Sequence, residues 1–282
     1  MRKTVLITGC SSGFGKLTAK TFHERGWSVI ATMRSPENET ELTQLDGVLV
    51  TRLDVTDPDS VTRAVDEGIA RFGTIDALVN NAGFGGHALF EQFPDATVRA
   101  MYDTNVFGLM NVTRAVLPRM REQGEGCVIN VTSVAGLLGT PTSSIYSSTK
   151  FAVEGLTEAL AFEYGPLNIR FRTVAPGAYP TTRFSENTDS PIDAGGEELS
   201  AYARQLRGQI QAISQRLASQ EGTAADLQEV ADRIYECATT DTPVRNPVGK
   251  DAELLSGLMA NAGPRQAFLD QLEAMLAPMT IT

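Results

Sequence analysis

The sequence predicts a doubly wound α/β fold, in which helices cover both faces of one parallel sheet. In its first half, short β-branched segments alternate with longer helical patterns. The strand segments are apolar without polar alternation, which is typical of parallel strands that are buried on both faces. A glycine-rich turn follows the first strand directly, as in Rossmann-type folds. We expect a single dinucleotide-binding domain over residues 1–282.

The predicted elements alternate along the chain. The predicted strands are 4–8, 28–32, 48–53, 77–79, 127–131 and 169–174. Helical periodicity predicts helices at 16–25, 57–72, 96–123 and 144–164 between these strands. Two more helices are predicted towards the C-terminus, at about 225–238 and 264–276.

The pattern changes after Pro176. Residues 181–196 are polar and contain turn-favouring residues, among them Ser185, Asn187, Asp189, Pro191 and two glycines, which predicts a loop. Apolar residues spaced three or four apart then form one stripe on a helix: Leu199, Tyr202, Leu206, Ile210, Ile213 and Leu217. We expect residues 181–218 to form a substrate-binding lid inserted in the domain. The alternative is a permanent packing or subunit contact.

Composition narrows the classes of partner. The 24 Lys and Arg against 34 Asp and Glu leave a net charge of −10 and no basic run, which argues against nucleic-acid binding. No apolar segment is long enough to span a bilayer, so no membrane partner is expected. Cys10, Cys127 and Cys237 have neither disulfide nor zinc spacing, so we expect no metal site and a cytoplasmic protein.

The first turn predicts a nucleotide site. It reads Thr8-Gly9-Cys10-Ser11-Ser12-Gly13-Phe14-Gly15. Glycines let the backbone approach phosphate, and the N-terminus of the following helix attracts anions. Residues 9–13 also match the G-x-S-x-G turn of α/β-hydrolases. That mechanism needs a histidine late in the chain, and the only histidines are His23 and His87, so a hydrolase is disfavoured.

The end of the second strand indicates which nicotinamide dinucleotide binds. NAD-binding proteins place a carboxylate there, whereas this strand ends Thr32-Met33-Arg34, and Arg34 is placed to bind a 2′-phosphate. We therefore expect NADPH/NADP+ rather than NAD. Asp54, with Val55 beside it, is expected to contact the adenine. The run Asn80-Asn81-Ala82-Gly83 ends the fourth strand and supplies small residues along the path of the cofactor.

Three residues form a candidate catalytic group. Tyr146 and Lys150 are four residues apart on a predicted helix and therefore share one face. A tyrosine with an ordinary pKa of about 10 is a poor acid–base group unless a cation stabilises its phenolate, and Lys150 is placed to do so. Ser133 lies just past the strand 127–131, at the edge where parallel sheets bind ligands. By itself, Tyr-x-x-x-Lys is a common surface pair.

With Asn105 and Pro176-Gly177, these motifs resemble the short-chain dehydrogenase/reductase family in order and spacing, over about residues 3–181. The resemblance implies NAD(P)-dependent oxidation or reduction at a carbonyl or alcohol carbon. It implies that Tyr146 is the general acid in reduction. Lys150 would lower the pKa of Tyr146 and hold the nicotinamide ribose, and Ser133 would orient the carbonyl.

The resemblance implies further roles near the nicotinamide. The main chain of Asn105 would hold a proton-relay water, and Thr181 would bind the carboxamide. Tyr179 departs from the family pattern, because its position usually carries a smaller aliphatic residue.

Residues 243–252 read Pro-Val-Arg-Asn-Pro-Val-Gly-Lys-Asp-Ala and depart further, since they lack the usual closing strand with paired glycines. This segment resembles the 17β-hydroxysteroid/retinol-dehydrogenase-like branch, which implies a bulky apolar substrate. We therefore expect an NADPH-dependent carbonyl reductase or alcohol dehydrogenase for a bulky apolar ketone or secondary alcohol, assembled as a homodimer or homotetramer. The alternatives are an NAD-dependent alcohol dehydrogenase, an epimerase or dehydratase of the extended family, and a nucleotide-sensing protein without turnover.

Overall fold

A computed structural model describes residues 2–179, 191–219 and 226–276. Within these ranges the strands are β1 (Thr4–Thr8), β2 (Ser28–Met33), β3 (Val48–Arg52), β4 (Ala77–Asn80), β5 (Gly126–Val131), β6 (Ile169–Pro176) and β7 (Arg245–Val248). They form one parallel sheet in the order β3-β2-β1-β4-β5-β6-β7. The predicted single-domain, Rossmann-type α/β fold is confirmed.

The helices of the described ranges are α1 (Gly13–Glu24), α2 (Pro58–Phe72), α3 (Asp95–Tyr102), α4 (Leu109–Gln123), α5 (Ser144–Tyr164), α6 (Glu197–Ser219), α7 (Leu227–Thr239), α8 (Lys250–Asn261) and α9 (Arg265–Leu276). A π-helical turn over Asp103–Gly108 joins α3 to α4, so the helical stretch predicted at 96–123 is continuous but locally widened. No helix in the described ranges is long and apolar enough to cross a membrane.

The strands are buried on both faces, which explains why they lack polar alternation. In β1, Val5 and Ile7 belong to the apolar core on one face, together with Phe22 of α1 and Ile234 of α7. Leu6, between them, belongs to the core on the other face with residues of α2 and α4. The chain adds β2 and β3 on one side of β1 and then adds β4 to β7 on the other side, so the strand order reverses between β1 and β4. Doubly wound sheets bind ligands at such a reversal.

The seventh strand corrects the expectation that residues 243–252 lack a closing strand. Arg245–Val248 pairs in parallel with the end of β6, with Asn246 beside Val174 and Pro247 beside Ala175. Proline has no N–H to donate to a neighbouring strand, but β7 is the edge strand of the sheet, where a proline is tolerated. The sequence pattern also does not predict α8, whose first residue follows Gly249 without a side-chain cap among the described residues.

The predicted lid lies partly outside the described residues, because residues 180–190 are not described. The helix expected from the apolar stripe is present as α6. Before α6 begins, the Gln92 side chain donates hydrogen bonds to the carbonyls of Ile192 (2.8 Å) and Ala194 (2.7 Å). These bonds attach the start of α6 to the loop that precedes α3. The opening and closing of this segment stays a prediction.

Candidate active site

The glycine turn between β1 and α1 has a backbone that requires glycine. Gly9 and Gly13 have φ of +75° and +56°, in the left-handed region that other residues rarely adopt. A Cβ on Gly15 would collide with the carbonyl oxygen of Gly9. The space next to Gly13 is open, since a Cβ built there would meet no described atom within 4 Å. The turn therefore exposes backbone at the point where a ligand can approach.

Thr8 and Asn81 join this turn to the end of β4. The Thr8 hydroxyl oxygen accepts hydrogen bonds from the backbone N–H groups of Asn81 and Ala82, both at 3.0 Å. The Asn81 side-chain amide donates to the carbonyls of Thr8 (2.9 Å) and Gly9 (3.2 Å). These four bonds hold the carboxyl ends of β1 and β4 together at the reversal of the sheet.

The N-terminus of α1 suits an anion. Ser12 occupies the N-cap, but neither a side-chain cap nor an acidic first-turn residue is present in this part of the described structure. The first N–H groups of the helix, with the exposed Ser11 beside them, are therefore left for a ligand. The ring of Phe14 packs edge-on against Tyr179, with ring centroids 5.3 Å apart.

The predicted adenine and phosphate contacts lie at the ends of β2 and β3. Arg34 follows β2 and is exposed. Burial alone would raise the pKa of Asp54, but the Thr56 N–H and hydroxyl donors, with the nearby Arg34 charge, lower it. Val55 is buried, and its carbonyl accepts a hydrogen bond from Asn111. Arg34 and the Asp54 carboxylate thus lie near each other at the carboxyl edge of the sheet.

Ser133, Tyr146 and Lys150 meet at the carboxyl end of β5. Ser133 follows this strand, and its hydroxyl oxygen accepts a hydrogen bond from the Ala135 N–H at 3.1 Å. The Ser133 side chain also lies close enough to the Tyr146 hydroxyl to act on its pKa. Lys150 lies one turn further along α5, where its buried ammonium group donates to the Val131 carbonyl at 2.9 Å. The Lys150 nitrogen is 5.6 Å from the centroid of the Tyr146 ring.

The surroundings shift the pKa values of the two ionisable groups. Burial raises the pKa of Tyr146, and the Ser133 side chain acts in the opposite direction. Burial lowers the pKa of Lys150 to about 8, and the Glu154 carboxylate opposes that change. The resemblance implied that Lys150 lowers the pKa of Tyr146. The Lys150 ammonium group donates to the Val131 carbonyl and lies 5.6 Å from the centroid of the Tyr146 ring, so its effect on the pKa of Tyr146 stays a prediction.

Glu154 is a buried carboxylate that the sequence analysis did not single out. Its two oxygens accept hydrogen bonds from the hydroxyls of Thr132 (2.5 Å) and Thr173 (3.2 Å), and Arg245 of β7 lies 3.3 Å away. Glu154 follows Lys150 by four residues, just as Lys150 follows Tyr146, so all three share one face of α5. This repeated four-residue spacing is the sequence signal that points to Glu154.

Asn105 connects three segments around Lys150. Its side-chain amide donates to the Phe84 carbonyl (2.8 Å) and the Thr149 hydroxyl (3.1 Å), and its oxygen accepts from the Phe84 N–H (3.0 Å). A Cβ on Gly83 would lie 3.0 Å from the Asn105 oxygen and 3.7 Å from the Lys150 nitrogen. The π-helical turn, the loop after β4 and α5 are therefore packed together beside Lys150.

The segment after β6 is held by the C-terminal part of the chain. A Cβ on Gly177 would collide with the Asp251 carboxylate, which accepts a hydrogen bond from the Ala178 N–H at 2.8 Å. The Tyr179 hydroxyl donates to the Glu229 carboxylate on α7 at 2.6 Å. Tyr179 thus connects α7 to Phe14 of the glycine turn.

Pro176 and Thr181 are also predicted to contact the cofactor. Pro176 ends β6 and pairs with Val248 of β7 at the carboxyl edge of the sheet. Thr181 lies outside the described residues.

An apolar cluster adjoins Tyr146 on the side of the loop after β4. Its buried members are Ala88, Phe93, Met101 and Ile145, and Tyr146 packs against them. In the same loop, a ring nitrogen of His87 lies 2.9 Å from the hydroxyl of Ser143, the N-cap residue of α5. Burial and the Arg207 charge lower the pKa of His87 to about 4. Sequence reasoning had considered His87 only as a hydrolase base.

Comparisons with known proteins agree with this arrangement. The family model described as short chain dehydrogenase matches residues 3–191. The chain is similar to a 3-ketodihydrosphingosine reductase of Bacteroides thetaiotaomicron, at 42% identity over 205 residues that cover 72% of this chain and 74% of that protein. It is also similar to the solved structure of a short-chain dehydrogenase from Streptomyces avermitilis, with a TM-score of 0.78, 32% identity and coverage of 99% of this chain and 96% of that one.

A third likeness is to the solved structure of ElxO with NADP bound, with a TM-score of 0.72, 28% identity and coverage of 90% of this chain and all (100%) of that one. These likenesses do not distinguish the 17β-hydroxysteroid/retinol-dehydrogenase-like branch from the rest, so that assignment stays a prediction. The family match over most of the chain is decisive for the family itself. The chain belongs to the short-chain dehydrogenase family, and it is an NAD(P)-dependent oxidoreductase that acts on CH–OH or C=O groups.

Proposed function

We propose that the chain is an NADPH-dependent carbonyl reductase, or alcohol dehydrogenase in the reverse direction, for a bulky apolar ketone or secondary alcohol. The observation that carries this proposal is the meeting of Ser133, Tyr146 and the buried ammonium group of Lys150 at the carboxyl end of β5. The apolar cluster beside Tyr146 supports an apolar substrate. The relative that is named as a reductase of a 3-keto compound supports reduction of a ketone.

The roles of the three residues follow from their positions. Bound NADPH supplies the hydride. The Tyr146 hydroxyl holds the proton that the carbonyl oxygen receives in reduction, and its raised pKa keeps that proton in place until a substrate is present. The Ser133 hydroxyl, close to Tyr146, donates a hydrogen bond to the same oxygen. The Lys150 ammonium stabilises the phenolate that proton transfer leaves behind.

The residues present fit the proposed cofactor. The left-handed glycines and the uncapped start of α1 suit a pyrophosphate, and the exposed guanidinium of Arg34 suits the 2′-phosphate that distinguishes NADPH from NADH. The similar solved structure of ElxO, which has NADP bound, supports the same cofactor. The proposed cofactor contacts are Thr8, Gly9, Ser11, Ser12, Gly13, Phe14, Gly15, Arg34, Asp54, Val55, Asn81, Ala82, Gly83, Tyr146, Lys150, Pro176, Gly177, Tyr179 and Thr181.

The test is a panel of ketones and secondary alcohols assayed with NADPH and with NADH, followed by the absorbance of the reduced nicotinamide. We expect turnover of bulky apolar ketones with NADPH. Tyr146→Phe should abolish turnover and retain NADPH binding by fluorescence titration, because the change removes only the phenolic hydroxyl. A Tyr146→Phe protein with a near-normal rate would contradict the catalytic assignment. Tight NADPH binding without turnover of any compound would favour a nucleotide sensor.

A further inference from the structure

α6 turns a face with unsatisfied polar atoms towards the interior. Ser200, Ala203 and Arg207 are spaced three or four residues apart and therefore lie on one face, where Ser200 is 2% and Ala203 0% exposed. The Ser200 hydroxyl oxygen and the Arg207 Nε are both buried, and neither has a hydrogen-bond partner among the described residues. Buried polar atoms in folded proteins are normally hydrogen-bonded. Within the described ranges, the Ser200 hydroxyl and the Arg207 Nε therefore lack the hydrogen-bond partners that permanent packing normally supplies.

Arg207 differs from its neighbour Arg204 on the same helix. Arg204 pairs with the carboxylates of Asp193 and Glu197, as an ordinary surface arginine does. No carboxylate of the described residues lies within salt-bridge distance of Arg207. Burial and the charge of Arg207 lower the pKa of His87 to about 4, so the His87 imidazole is neutral near pH 7. Arg207 thus brings a positive charge to this region without a described counterion.

The Arg207 charge acts on His87, which lies beside the start of the helix that carries Tyr146. His87 lies 2.9 Å from the hydroxyl of Ser143, and Tyr146 follows Ser143 in the first turn of α5. The next residue of the loop, Ala88, donates its N–H to the Thr142 carbonyl at 2.8 Å and belongs to the apolar cluster that packs against Tyr146. The neighbouring loop residues His87 and Ala88 therefore link the Arg207 charge to the apolar cluster that packs against Tyr146.

We propose that the carbonyl substrate carries an anionic oxygen group, a carboxylate or a phosphate, which Arg207 binds while the apolar cluster contacts the carbon chain. The inference rests on the proposed carbonyl reductase function and narrows its substrate class to amphipathic oxo acids or oxo phosphate esters. A guanidinium group forms two parallel hydrogen bonds with either anion, which supplies both charge and orientation. Ser200, two helical turns earlier on the same face, offers its hydroxyl to a second polar substituent.

The test compares one ketone skeleton that bears a free carboxylate, its methyl ester or a phosphate ester at the same position. kcat/KM is measured with NADPH for the wild type, Arg207→Gln and Arg204→Gln. The wild type should prefer the anionic compounds to the methyl ester. Arg207→Gln should reduce that preference about tenfold to a hundredfold, mainly through KM, because a charge-assisted pair is lost. Arg204→Gln should keep the preference for the anionic compounds. Whichever of the carboxylate and the phosphate ester is preferred more strongly identifies the anionic group of the substrate.

A binding measurement keeps the proposal testable apart from turnover. Calorimetry with the hydroxy acid product and the NADP+ complex should show tight binding to the wild type, weaker binding to Arg207→Lys and the weakest to Arg207→Gln. If Arg207→Gln fails to fold, the Arg207→Lys variant still tests the paired hydrogen bonds. Equal preference in the wild type and both Arg207 variants, or a wild type that prefers the ester, overturns the proposal. If neither the anionic ketones nor the methyl ester is reduced, the proposed reductase function is wrong. The calorimetry then still decides whether Arg207 binds the anionic group.

Discussion

Lys150 and Glu154 are two ionisable residues buried one helical turn apart on α5. Burial drives the ammonium of Lys150 towards its neutral form, and the Glu154 carboxylate opposes this. Burial likewise raises the pKa of Glu154, while donors from Thr132 and Thr173 and the charge of Arg245 act to keep it ionised. We therefore expect Glu154 to be a positioning residue, which acts on the chemistry through Lys150.

Glu154→Gln should make activity more sensitive to alkaline pH. The change removes the negative charge that supports protonated Lys150, so the pKa of Lys150 should fall below about 8. Lys150 serves the phenolate only while it is protonated, so activity is present below its pKa and lost as the pH rises through it. The alkaline limb of the kcat/KM profile should therefore move to lower pH. An unchanged limb would remove Glu154 from the mechanism.

Glu158→Gln is the matched control for that variant. Glu158 is exposed on the same helix and pairs with a different nitrogen of the Arg245 guanidinium group, at 2.6 Å. Its loss disturbs the Arg245 pair without removing a charge from the interior, so the alkaline limb should stay close to that of the wild type.

Arg34 is the residue by which the chain is expected to prefer NADPH. Arg34→Ala should weaken NADPH binding about tenfold to a hundredfold and leave NADH binding nearly unchanged, because a contact between arginine and phosphate is worth roughly 1.5–3 kcal/mol. Met33→Asp should shift the preference further to NADH, since a carboxylate repels the 2′-phosphate and accepts from the ribose hydroxyls. Fluorescence titration with each cofactor measures both effects. Equal losses for the two cofactors would show that Arg34 does not contact the phosphate.

α6 is the element whose motion the sequence predicts. The segment before it is attached to the loop preceding α3 by two hydrogen bonds from Gln92, and its half-buried stripe residues include Tyr202 and Leu206. A contact of this kind is compatible with opening when no substrate is bound.

Hydrogen exchange separates a lid from a fixed helix. A lid should exchange quickly over residues 181–196 in the apoenzyme, and NADPH with a substrate analogue should slow that exchange. Gln92→Ala should restore part of the fast exchange in the complex, because it removes the two bonds to Ile192 and Ala194. Protection across the segment with and without ligand would instead identify α6 as permanent packing.

The surface of the whole molecule includes two exposed aromatic side chains on α5. Phe151 and Phe162 are 39% and 75% exposed and lie about three turns apart on one face of this helix. Large apolar side chains that are exposed together mark association surfaces. We expect a homodimer or homotetramer that uses this face.

Light scattering measures that assembly. The wild type should have the mass of two or four chains, and Phe162→Glu should lower it because a charge is placed in the contact. Phe90→Glu is the control, since Phe90 is similarly exposed, at 72%, but lies in the loop before α3 rather than on α5. A monomeric wild type would contradict the prediction.

The sequence by itself determined the fold class and the positions of most candidate residues. Apolar runs without alternation, separated by helical periodicity, were sufficient for a parallel sheet covered on both faces, because periodicity reflects local geometry. The glycine turn was also predictable from local geometry. Gly9 and Gly13 have a left-handed backbone, which glycine adopts at little cost. The shared face of Tyr146 and Lys150 follows from helix geometry alone.

Only the tertiary structure decided which distant residues surround these groups. The oxygens of Glu154 are bound by Thr132, which follows β5, and by residues of β6 and β7, and Tyr179 is directed to Glu229 on α7. β7 itself carries a proline that a strand pattern excludes, and it is stable as a strand because it lies at the sheet edge. Strand order, register and helix packing set distances between residues far apart in the chain, and no local periodicity records them.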